Sequence, residues 1–136
     1  MSYVVLVAWL VQAAVGILLL TSWIGHGRTP PRTVVTHVTL SVLGVASWIT
    51  YVLSDMVLWA WAAFALIAIG NAFGDMMLLR RARAMGGSHL STVNAYKVAL
   101  RSMFKGRLPL RVSFHAVFAG VVFFSTLGVC IAETVG

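Results

Sequence analysis

Residues 56–81 read MVLWAWAAFALIAIGNAFGDMMLLRR. From Met56 to Leu79 the only ionisable side chain is Asp75, and two arginines follow at once. At about 1.5 Å per residue a helix of that length exceeds the roughly 30 Å hydrocarbon core of a bilayer. This stretch therefore reads as a transmembrane helix whose end is marked by Arg80 and Arg81.

Three more segments share the pattern: 3–24, 33–53 and 110–132. The composition agrees, with 60% hydrophobic and 10% charged residues, against about 25% charged in a soluble domain. The expected fold class is all-α integral membrane. It is a four-transmembrane-helix up-down bundle, forming a single domain over 1–136. The first segment lacks a basic leader and a small-residue cleavage site, so it reads as a span and not as a signal peptide.

The loops orient the bundle. All ten Lys and Arg residues lie between or at the edges of apolar segments. Arg28 and Arg32 belong to the first loop, around Pro30 and Pro31, and Ser54-Asp55, between segments two and three, has no basic residue. The loop 80–109 carries Arg80, Arg81, Arg83, Lys97, Arg101, Lys105 and Arg107, and Arg111 opens segment four. By the positive-inside rule, loops one and three are cytoplasmic and both termini lie outside an inner (plasma) membrane. Tyr3, Tyr51, Trp59 and Trp61 would form an outer aromatic belt, with Trp23 at the inner face. The formal charge of +7 thus belongs to topology, and no nucleic-acid partner is expected. The tight Ser54-Asp55 turn makes segments two and three antiparallel neighbours.

Within the third loop, Met85-Gly86-Gly87-Ser88 is a break and residues 91–105 read as an amphipathic cytoplasmic helix. Val93, Tyr96, Leu100, Met103 and Phe104 share its apolar face, flanked by Lys97, Arg101 and Lys105. That pattern suits anionic lipid at the membrane surface; the alternative is a basic loop that only sets topology.

Polar groups inside a membrane are costly and mark function. His37 lies about 6 Å inside segment two, His115 about 7 Å inside segment four, and Asp75 about 6 Å inside segment three. His26 follows segment one at a similar level, and Asn71 is one turn from Asp75. Gly70 and Gly74 form a GxxxG pair on the third segment, Ser41 and Gly44 accompany His37, and Ala116 and Gly120 make a small face on the fourth. Gln12 sits mid-membrane and is expected to bond across helices, while Ser41, Thr50 and Thr126 are expected to satisfy themselves on their own backbone.

Three readings follow. In one, His37 and His115 are axial ligands of a b-type haem, with Arg32, Arg107 or Arg111 near the propionates and Asn71 or Asp75 holding an imidazole N–H. In another, His37, His115, Asp75 and His26 bind a transition metal such as zinc or iron. In the third, the cluster is structural and the protein is a cofactor-free accessory or assembly subunit of a larger membrane complex, or a homo-oligomer. Nothing points to an enzyme: there is no Ser/His/Asp set, no phosphate loop, and Cys130 is the one cysteine. No charged pathway crosses the outer half, which argues against a channel or transporter.

With the helices and the two histidines placed, the chain resembles small four-helix haem-b membrane proteins of the cytochrome b561-like type. The likeness rests on four spans and on His37 and His115 at one depth of segments two and four. It implies one haem b near the cytoplasmic face, serving electron transfer or redox sensing. The two-haem members carry a second histidine pair toward the other face; the outer half here has none.

Overall fold

The computed structural model describes residues 1–26 and 31–136. These form five helices and no strand: α1 (Ser2–Gly25), α2 (Arg32–Ser54), α3 (Val57–Gly86), α4 (Thr92–Phe104) and α5 (Leu110–Val135). Four of them, α1, α2, α3 and α5, are long and apolar enough to cross a membrane, and they coincide with the four expected segments. Arg28 and Pro30 lie outside the described residues.

Local chemistry sets the ends. Pro31 and Pro109 stand just before α2 and α5, where a missing N–H costs nothing. Asp55 closes α2 in the left-handed region at φ 53°, with its N–H donating to the Tyr51 carbonyl. Asp tolerates that conformation better than most residues, and α3 begins two residues later. α2 and α3 share the most extensive helix pairing in the molecule; α1 packs on α2 and α5, and α3 also packs on α4 and α5.

α3 runs seven residues beyond the expected end at Leu79. Residues 80–85 are Arg, Arg, Ala, Arg, Ala and Met, all strong helix formers. The extension also has something to pack on, because Leu79 and Ala82 are buried with Ala95 and Ala99 of α4. Gly87, at φ 114°, then ends the helix.

α4 packs on α3 through small side chains. Val93, Leu100 and Phe104 are exposed, whereas Ala95, Ala99 and Ser102 are buried. Small side chains let α4 approach α3 closely, and the bulky stripe turns outward. The Ser91 hydroxyl caps the helix by accepting from the Asn94 N–H.

The main core gathers side chains from α1, α2, α3 and α5 around Trp9, Trp48, Tyr51, Val122 and Cys130. Tyr51 is therefore not in an aromatic belt: it is 3% exposed and packs edge-on against Trp48 at 5.0 Å. Tyr3, Trp59 and Trp61 do lie outward, as do large apolar residues such as Val7, Leu58 and Phe124.

Candidate functional site

The GxxxG pair on α3 builds one half of the site. Gly70 supplies a carbonyl and Gly74 supplies room. His37 of α2 places Nδ1 2.8 Å from the Gly70 carbonyl oxygen, and its Cε1 lies 3.3 Å from where a Cβ on residue 74 would be. A carbonyl only accepts, so Nδ1 donates; in the neutral ring the lone pair then sits on Nε2. Backbone thus does what Asn71 or Asp75 was expected to do for this ring.

The other half is built the same way from α1 and α5. The Cε1 of His115 lies 3.3 Å from the Cβ position of Gly16. One turn along α1 from Gly16, Gln12 donates from Nε2 to the His115 carbonyl at 2.9 Å, the expected cross-helix bond. Each imidazole is therefore seated on a glycine of a neighbouring helix.

The two rings meet. Their centroids are 6.1 Å apart and their planes cross at 78°. Matched depth was legible in the sequence; the shared direction is what the fold adds. Around them the polar accounting is incomplete: Gln12 Oε1, Ser113 Oγ and His115 Nδ1 are buried with no hydrogen-bond partner. A buried unpaired polar atom costs about 1–3 kcal/mol, so three at one level mark it out.

The remaining expected residues do not join the pair. Asp75 is exposed and its Oδ2 accepts from the Tyr96 hydroxyl of α4 at 2.6 Å. That carboxylate pushes the Tyr96 phenol up to about 12, with burial adding to the effect. His26, at the end of α1, sets Nδ1 2.6 Å from the Ser22 carbonyl. Among the described residues no three His, Cys, Asp or Glu side chains come together to hold a metal ion, so the four-residue metal set does not assemble. Arg32 and Arg111 are exposed at the starts of α2 and α5, and Arg111 lies on the same face of α5 as His115, one turn away.

The chain matches no known protein family, no curated protein and no solved structure. The site must be read from its own geometry.

Imidazole nitrogens are common ligands of transition metals and of haem iron, and His37 and His115 are the residues of this layer that could hold such a group. The Gly70 carbonyl and the glycine seats were the part sequence reasoning missed. The GxxxG spacing was visible and read as close helix packing and as room for a flat cofactor, but not as the seat of an imidazole.

Proposed function

We propose that this protein is an integral membrane protein that holds one b-type haem between His37 and His115 and serves electron transfer or redox sensing. The observation that carries the proposal is the imidazole pair, 6.1 Å centre to centre, with the His37 Nδ1 engaged on the Gly70 carbonyl.

Four helices of spanning length and apolarity support insertion in a bilayer. An up-down arrangement is supported by the order of their pairings: Gly44 of α2 meets Trp9 of α1 and Leu66 of α3, whereas His37 meets Gly74. Trp61, early in α3, bonds Thr134, late in α5. The arginine-rich ends belong in the cytoplasm by the positive-inside rule, which puts both termini outside and the site near the inner leaflet of the plasma membrane.

When bound, the haem would supply reversible one-electron chemistry at its iron. The chain's own contributions are separable. The Gly70 carbonyl fixes which nitrogen of His37 is presented and raises its basicity. Gly16 and Gly74 leave space for the rings. Arg111, and Arg32 at the start of α2, offer cations for carboxylates at the membrane surface. The other two histidines, His26 and His89, lie at the cap of α1 and between α3 and α4, so neither stands within a long apolar helix to form a second pair there. Electron donor and acceptor would then reach the site from one side of the membrane, and the protein would work with a membrane or soluble redox partner.

An absorption spectrum of the purified protein tests this. The expected result is a Soret band that is lost in His37→Ala and in His115→Ala. A colourless, stably folded protein that copurifies with larger membrane subunits would instead establish the cofactor-free accessory role.

A further inference from the structure

We infer that the cavity between the end of α3 and α4 binds a phosphate-bearing group of net negative charge, a monoester or a diester without a cation of its own, through Arg101 and Arg107. The cavity measures about 400 Å³ and is lined by Met85, Gly86, Val98, Arg101, Ser102 and Arg107, a volume typical of small-ligand sites. It is separate from the histidine pair and independent of the haem reading.

Its construction follows from the chain leaving α4. Lys105 ends the helix and Gly106 turns at φ 65°. The Arg107 N–H then donates to the Ser102 carbonyl at 2.9 Å. That turn brings Arg107 back beside the last turn of α4, where Arg101 sits, so both arginines line one hollow. Ser102 is almost fully buried and Gly86 keeps the α3 wall low.

The two arginines are chemically unspent. Arg80 bonds the Thr33 hydroxyl, and Arg83 bonds the Leu90 carbonyl. Among the described residues Arg101 and Arg107 have neither an ion pair nor a side-chain hydrogen bond. The chain has three acidic residues, Asp55, Asp75 and Glu133. Asp75 is taken by Tyr96. Asp55 precedes the 30-residue α3 while the cavity lies at its far end, roughly 45 Å away. Glu133 lies two residues before the end of α5, which begins at Leu110 just after Arg107. Both guanidinium groups are exposed and not held by a carboxylate of the described chain, so an incoming anion would find them available.

Two guanidinium forks favour a phosphate over a lone carboxylate, because each offers paired donors matched to phosphate oxygens. Met85 and Val98 give the same cavity an apolar wall for whatever carries the phosphate. A phospholipid headgroup and a soluble phosphate ester share this chemistry, and basic pockets beside membrane helices suit either.

Native mass spectrometry of the full-length protein, released from mixed phosphatidylcholine and phosphatidylglycerol nanodiscs with and without inorganic pyrophosphate, tests the inference. One retained phosphatidylglycerol that pyrophosphate does not displace identifies a lipid headgroup. Saturable pyrophosphate binding that displaces it identifies a soluble ester. In either case Arg101→Gln with Arg107→Gln should weaken retention by about tenfold or more, while Lys97→Gln with Lys105→Gln, the same charge change outside the cavity, should shift it less than about twofold. Arg101→Lys with Arg107→Lys keeps the charge and guards against misfolding; it should still lose several-fold, because the forks are gone. Equal losses in the two Gln pairs, unchanged retention in the Lys pair, or no preference for phosphatidylglycerol or pyrophosphate over phosphatidylcholine would each overturn it.

Discussion

The bundle contains two layers built from the same helices and to opposite standards. In the tryptophan layer every indole has a partner: Trp9 Nε1 donates to the Thr126 hydroxyl at 3.0 Å, and Trp48 Nε1 donates to the Ser2 carbonyl at 3.2 Å. The rings of Trp9 and Trp48 stack at 6.5 Å, and Trp48, Val122, Thr126 and Cys130 are wholly buried. In the histidine layer the unpaired atoms of Gln12, Ser113 and His115 stand together. A chain able to satisfy buried donors in one layer has left acceptors and a ring nitrogen open in the next. The first layer is packed and fully hydrogen-bonded, and the second, where the proposed function seats the haem, leaves polar atoms unpaired.

The comparison is broken most directly at Trp48. Trp48→Ala removes a fully buried ring, its stacking on Trp9 and its bond to Ser2, and should cost about 3–5 kcal/mol. Thermal unfolding in detergent reads this, and the haem absorbance per folded molecule should stay as in the wild type. Loss of the Soret band from still-folded Trp48→Ala protein would mean that the two layers are not separable.

Thr126→Val should cost less. It keeps the shape but leaves the Trp9 indole N–H buried without an acceptor, a penalty of about 1–3 kcal/mol. The matched change in the other layer is His115→Leu, which removes an atom that already lacks a partner. Its effect on the stability of the haem-free protein should be within about 1 kcal/mol, or stabilising, while cofactor binding is abolished. If His115→Leu destabilised the haem-free protein more than Thr126→Val did, the histidine layer would be structural and the proposed site would be lost.

The sequence showed some of this and hid the rest for physical reasons. The four long apolar helices were legible because apolar runs of that length have few alternative explanations. The level of His37 and His115 was legible because depth along a helix is a count of residues. Their mutual approach was not, since it depends on the rotation of α2 and α5 about their own axes. Thr126 was expected to bond its own backbone and instead accepts from a tryptophan 117 positions away in sequence; no local pattern signals such a pair. Tyr96 was read as part of the apolar face of α4. Its hydroxyl in fact ties that helix to Asp75, a contact that depends on how α4 packs against α3 and not on any local pattern.

That tie is the boundary between the histidine layer and the surface helix, and it offers the mildest perturbation. Asp75 follows Gly74, against which the His37 ring rests, so the Tyr96 bond holds α4 to the turn that seats the imidazole. The neutral phenol donates to the carboxylate; the phenolate cannot donate and would face a like charge. Tyr96 ionises at about 12 in the folded protein against an ordinary value of 10.0. The stabilisation is therefore fully present below pH 10 and is lost as the pH rises through about 12. The near-ultraviolet phenolate titration of wild-type protein minus that of Tyr96→Phe isolates this one group. Its midpoint should fall near 12, and the variant should lose the corresponding decline in stability at high pH. A difference midpoint near 10 would show that the Tyr96–Asp75 bond is not maintained in solution. α4 would then be free of the histidine layer, and the contrast between the two layers would have to be drawn without the surface helix as a support.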